Sequence, residues 1–122
     1  MSTTIVGNLT RDPEVRFSPQ GVAVANFSVA ENRRHKNKDT GEWEDNPEYF
    51  EVVAFRELAE NIAETLSKGN RVIVTGEFTA RKWKTKDGED RKSFELVADE
   101  VAVSLRWATA EVTRKTGKRD DR

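Results

Sequence analysis

Cysteine is missing from this 122-residue chain, and histidine occurs once, as His35. The first absence removes disulfides and thiolate zinc sites and fits a reducing cytoplasm. The second removes histidine-rich metal centres and leaves no Cys–His or Ser–His–Asp set for covalent catalysis. Gly-rich phosphate cradles are missing too. Carboxylates are plentiful, but the one regular spacing, Glu57, Glu60 and Glu64, falls on a single exposed helix face. Such a pattern is a solubility device far more often than a metal site. No apolar run approaches the roughly 18 residues of a membrane span, and no signal sequence precedes Thr3. The chain is therefore expected to be soluble and cytoplasmic, with no enzyme activity, cofactor or metal.

Apolar residues are scarce at 35%, and charged residues equal them at 35%. One domain of this length buries about two-thirds of its unfolded surface, so the core must be small and the charged surface large. A compact barrel or sandwich meets that balance, as does an oligomer that hides further apolar area. With 21 basic and 22 acidic residues the net charge is −1. The molecule as a whole does not attract polyanions, and any such role must rest on where the cations sit.

The β-branched run Thr3 to Leu9 predicts a first strand, with Gly7 marking a bulge or bend in it. Glu14 to Phe17 alternates polar and apolar residues as its continuation, and Ser18-Pro19-Gln20-Gly21 predicts a turn. In the second strand, Val22 to Glu31, the positions Ala23, Ala25, Phe27 and Val29 form one apolar face. Residues 32–47 read as a long polar loop that opens with Arg33, Arg34, Lys36 and Lys38 and carries an isolated Trp43. Tyr49 to Phe55 is a third strand, whose alternation puts Phe50, Val52 and Ala54 in the core. Tyr49 and Phe55 fall on the other face, with Glu51 and Val53.

Arg56 to Lys68 has helical spacing, with Leu58, Ala59, Ile62, Ala63 and Leu66 on one stripe and Gly69 as C-cap. Arg71 to Phe78 predicts a fourth strand and Ser93 to Leu105 a fifth, and Trp107 to Val112 is a further short extended stretch. Between the last two long strands, Gly76 to Leu96 reads as two arms joined at Lys86-Asp87-Gly88, because Asp-Gly is a strong hairpin signal. One arm carries Arg81-Lys82-Trp83-Lys84, a large ring among cations. An exposed ring of that kind gives nothing to a core, whereas stacked on a nucleobase beside a phosphate chain it has a use. The alternative is a ring folded back on its own sheet with a solvated basic rim.

Five strands with one helix between the third and fourth match an all-β, five-stranded oligonucleotide/oligosaccharide-binding (OB) Greek-key barrel. Its binding face would hold Tyr49, Phe55 and Trp83. Phosphate contacts would come from Arg33, Arg34 and Lys36 on the loop, and from Arg81, Lys82, Lys84, Lys86 and Lys92 on the hairpin, with Lys38 and Arg91 nearby. His35 is either an exposed loop histidine or a stacking ring.

The residues also resemble a known family, the bacterial single-stranded DNA-binding proteins. The resemblance rests on Ile5-Val6-Gly7-Asn8-Leu9, Asp12-Pro13-Glu14-Val15-Arg16 and Ala23-Val24-Ala25-Asn26-Phe27. Thr40-Gly41-Glu42, Leu58-Ala59-Glu60, Lys68-Gly69 and Arg81-Lys82-Trp83 follow in order. It covers roughly residues 3 to 105, and Ser104 to Ala110 looks like the actinobacterial branch. The resemblance implies four base-stacking positions, three of which fall on Tyr49, Phe55 and Trp83. The fourth falls near His35, where the family often has tryptophan. It also implies a homotetramer around which the DNA strand wraps, with roles in replication, recombination and repair.

On that basis residues 1–105 form the DNA-binding barrel and residues 106–113 a strand clamping onto a neighbouring subunit, with 114–122 a flexible charged tail. A lid on its own barrel is the other reading of Trp107. The family usually ends in an acidic, apolar tip that recruits enzymes, and Lys118-Arg119-Asp120-Asp121-Arg122 does not resemble one. The expectation is a truncation, or a paralogue or phage-type member without that route. Rival readings are a primosome-type interaction module, an RNA-binding barrel and a purely structural oligomer.

Overall fold

The computed structural model describes residues 2–32 and 34–115. Strands β1 (Thr3–Leu9), β2 (Glu14–Phe17) and β3 (Ala23–Glu31) are followed by a small hairpin of β4 (Arg34–Lys36) and β5 (Trp43–Asp45). Then come β6 (Glu48–Phe55), helix α1 (Arg56–Thr65), β7 (Arg71–Lys84) and β8 (Asp90–Val103). The large sheet runs β1-β7-β8-β6-β3-β2, and a second pairing of β1 with β3 closes five of its strands into a ring. All junctions are antiparallel except β6–β8, which pair in parallel at Val52–Leu96 and Val53–Val97. The expected five-stranded barrel with one helix between its third and fourth strands is thus present.

Its core follows from alternation. Phe27, Val29, Val52, Val72, Val74 and Leu96 are fully buried, and Ala59, Ile62 and Leu66 of the helical region pack into the same cluster. Burying side chains of this size stabilises the fold by about 1.5–3 kcal/mol each. The expected helical stripe is correct except at Ala63, which is exposed.

The helix also stops three residues short of Lys68. Leu66 is already extended, and the amides beyond it have partners outside a helix. Ser67 N donates to Asn70 Oδ1 at 2.8 Å, Lys68 N to Asp12 Oδ1 at 2.7 Å and Gly69 N to Leu9 O at 2.9 Å. Gly69 is therefore not the C-cap. It takes φ +91 in the link that ties the helix exit to β1.

Gly7 is likewise not a bulge: it pairs regularly with Val72. What requires glycine there is close approach, since a Cβ would lie 2.3 Å from Ala30 O where β1 crosses onto β3. Within the stretch expected as loop, residues 34–45 form a hairpin, with β4 and β5 paired from Arg34–Asp45 to Lys36–Trp43. Asn37 sets that turn, its side-chain oxygen accepting from Asp39 N at 2.8 Å and Thr40 N at 3.2 Å. Such an Asx turn is a recurrent use of asparagine at the start of a tight turn.

Residues 106–113 form no strand within the chain. Ser104 N bonds Arg71 O at 2.9 Å, Trp107 lies 4.6 Å from the Arg71 guanidinium, and Lys115 Nζ bonds Glu64 Oε2 at 2.9 Å. The expected tail, 114–122, falls mostly outside the described residues.

Arg56 opens α1 at φ +62, a conformation that disfavours a residue with a Cβ by about 1–2 kcal/mol. Arg56→Gly is expected to raise the unfolding midpoint by a few degrees in a thermal melt. A lower midpoint would mean that the arginine side chain outweighs the strain.

Candidate nucleic-acid interface

Directly opposed residues in a ladder share a face, so the register assigns every side chain near the site. On β6, Tyr49, Glu51, Val53 and Phe55 point outward, opposite Ala30, Ser28, Asn26 and Val24 of β3. Val24, Ser28 and Val53 are buried even so, because strands flank them on both sides, and they floor a shallow outer surface. Phe55 stands 40% exposed and Tyr49 65% exposed.

Phe55 and Val53 line a groove of about 510 Å³ together with Arg11, Arg16, Asn26 and Arg81. Glu14, Glu51 and Glu95 also reach it, so its charge is mixed. Arg11 pairs with Glu51 at 3.4 Å, and Arg16 Nη1 donates to Asn26 Oδ1. The sequence reading missed Arg11 and Arg16. The cue was available: Arg16 follows Glu14 by two residues on an alternating strand, and both point outward.

The β7–β8 hairpin extends this surface. Register places Arg81 and Trp83 on one face with Ser93 and Arg91, and that face continues from the groove through Arg81 and Ser93. Trp83 is 44% exposed, with the Arg81 guanidinium 5.7 Å from its ring. A buried ring would have packed away from the cation; this one is held half out of the sheet. The tip is built as expected, with Gly88 at φ +83 and Lys86 exposed upon it.

Lys82, Lys84 and Lys92 fall on the opposite face of the hairpin from Trp83. Register separates their side chains from the ring, yet all three border one shallow concavity of the hairpin with Trp83 and Arg91. These lysines accompany Phe94, which is 59% exposed with Lys92 Nζ 5.2 Å from its centroid. Phe94 lies in phase with the buried Leu96. The barrel interior ends before the hairpin does, so the same phase reaches solvent two residues on. Lys84 also pairs with Asp90 at 3.9 Å, and Arg91 with Glu89 at 3.1 Å.

The β4–β5 hairpin carries the remaining candidates. Arg34 and Lys36 share a face with Trp43, while His35 lies on the reverse with Glu44, 3.6 Å away. Arg33 lies outside the described residues. Among the described residues no group of three or more His, Asp and Glu could hold a metal ion.

Residues 1–104 match the model of the single-strand binding protein family. The chain belongs to this family. The single-stranded DNA-binding protein of Corynebacterium glutamicum is 52% identical over 112 residues, covering 91% of this chain and 50% of that one. That of Mycobacterium tuberculosis is 51% identical over 112 residues, covering 91% of this chain and 68% of the relative. The chain thus spans about half to two-thirds of the length of these relatives. A solved structure described as a Plasmodium falciparum SSB complex with ssDNA superposes with a TM-score of 0.77 at 23% identity. It covers 84% of this chain and 93% of the other, so the two share the OB barrel fold. No helix among the described residues is long and apolar enough to cross a membrane.

Proposed function

We propose that this chain binds single-stranded DNA without sequence preference and without catalysis, in the cytoplasm, as a homotetramer serving replication, recombination and repair. One observation carries the reading. Exposed rings at Tyr49, Phe55 and Trp83 follow one outward face from barrel to hairpin, and Phe55 lines a groove with Arg11, Arg16 and Arg81 on its walls. Each base stacked on a ring contributes about 1–3 kcal/mol, and every base has a face to offer. The arginines meet phosphates. On the reverse of the hairpin, Lys82, Lys84 and Lys92 take the strand as it turns over the tip past Lys86. Family membership and the names of the relatives support the same ligand.

The segment 106–113 is proposed as a clamp on a neighbouring subunit. Leu105 and Trp107 stand 66% and 71% exposed, and Val112 90% exposed, which is apolar surface that a second copy would cover.

A titration with a thymidine homopolymer at several salt concentrations tests the ligand. The logarithm of affinity is expected to fall linearly with that of salt, by about 0.7 for each phosphate contacted. Competition with an equal length of RNA, and the mass of the complex, report nucleic-acid type and subunit number. Indifference of the folded protein to the homopolymer in dilute buffer would sink the reading.

A further inference from the structure

The 34–45 hairpin holds two candidate rings, and register separates them. Lys36 lies opposite Trp43, His35 opposite Glu44 and Arg34 opposite Asp45. One face therefore shows Trp43 flanked by Lys36 and Arg34, and the other shows His35 beside a carboxylate. The Arg34 guanidinium is 5.8 Å from the Trp43 centroid, and the ring is 60% exposed. It takes no part in the buried core cluster.

The electrostatics of the two faces differ. His35 Nε2 is 3.6 Å from Glu44 Oε1, and Glu44 Oε2 also accepts from Asn37 Nδ2 at 3.1 Å. The carboxylate is therefore fixed next to the imidazole, where it would repel the phosphates flanking any base stacked on that ring. On the other face Asp45 offsets part of Arg34, at 3.8 Å, but Lys36 stands beside the indole. The turn is preset as well. Asn37 N donates to Glu42 O and Gly41 N to Asn37 O, both at 2.8 Å, so little ordering remains to oppose binding.

We propose that Trp43, with Arg34 and Lys36, is a base-stacking platform for single-stranded DNA, and that His35 is not. This rests on the ligand proposed above. It moves the stacking position of this hairpin to the opposite face, eight residues along the chain.

The test uses the full chain and a fluorescein-labelled thymidine oligonucleotide, with affinity read by anisotropy. Trp43→Ala is expected to weaken binding about 5- to 150-fold, and His35→Ala to leave it within about twofold. A variant carrying W83F and W107F retains Trp43 as its single indole, and its emission is expected to be quenched on saturation. Normal binding by the unaltered protein with Trp43→Ala equally tight, or His35→Ala as damaging as Trp43→Ala, overturns the Trp43 assignment alone. Absence of binding by the unaltered protein overturns the ligand as well. Because Trp43 is exposed, its loss is not expected to move the melting temperature, and a melt of each variant checks this.

Discussion

Replacing Trp83 and Phe55 together by alanine is expected to weaken binding to a thymidine oligonucleotide by about 2–6 kcal/mol, roughly 30-fold to more than 10⁴-fold. The rings stand as independent platforms at two points on one face, each giving up its stacked base. Trp83→Ala alone should account for about half of it. Both side chains are partly exposed, at 44% and 40%, so the variants should unfold close to where the parent does. Anisotropy titration at fixed salt reads the loss, and a thermal melt guards against misfolding. Trp83→Ala binding with parental affinity would remove the hairpin ring from the site. An equal loss on Lys82→Ala would point instead to charge on the reverse face as the main source of affinity.

The second large effect concerns stability. A Cβ on Gly76 would lie 2.0 Å from Val97 O, and one on Gly7 would lie 2.3 Å from Ala30 O. Both neighbours are backbone held in a ladder, so the strands themselves must separate. Gly76 also sits where the β7–β8 register shifts, and Gly7 where β1 joins β3 to close the ring. Gly76→Ala is expected to lower stability by about 3 kcal/mol or more, beyond the usual cost of overfilling a core, and Gly7→Ala comparably. Urea unfolding reads this as a lower midpoint. A midpoint unchanged for both would mean that the barrel has slack at its seams.

The sequence made the barrel legible where burial and alternation agree. Ala23, Ala25, Phe27 and Val29 sit on one side of a strand whose ends are marked by turn residues, and all are buried. The Asp87-Gly88 tip was readable because few residues other than glycine accept that backbone. Failures came where a distant partner decides. Gly7 looks like any strand glycine until Ala30 arrives against it, 23 positions away in the chain. Helix α1 ends at Thr65 because Asp12 and Leu9, from the start of the chain, hold the following amides.

The site was half legible for a related reason. Ring and cation types are visible along a strand, but which face they share depends on register. Lys82 is a neighbour of Trp83 in sequence and lies on the opposite side of the hairpin in space. Arg16 was overlooked because it is brought to Phe55 only by the pairing of β2 with β3 and of β3 with β6, and Arg11 because it reaches Glu51 of β6 from the link between β1 and β2.

The strands β7 and β8 each run for 14 residues, and the buried residues of both lie in their barrel halves, up to Gly76 and from Leu96. The remaining eight residues of β7, from Glu77 to Lys84, reach roughly 25 Å beyond. One continuous ribbon thus has a root that carries stability and a blade that adds little to the core. Under the proposed function, changes of composition along the blade retune grip, ionic sensitivity or strand path while the root holds its temperature tolerance. A lineage could therefore adapt this protein to a new salinity or genome composition without first reinforcing its fold.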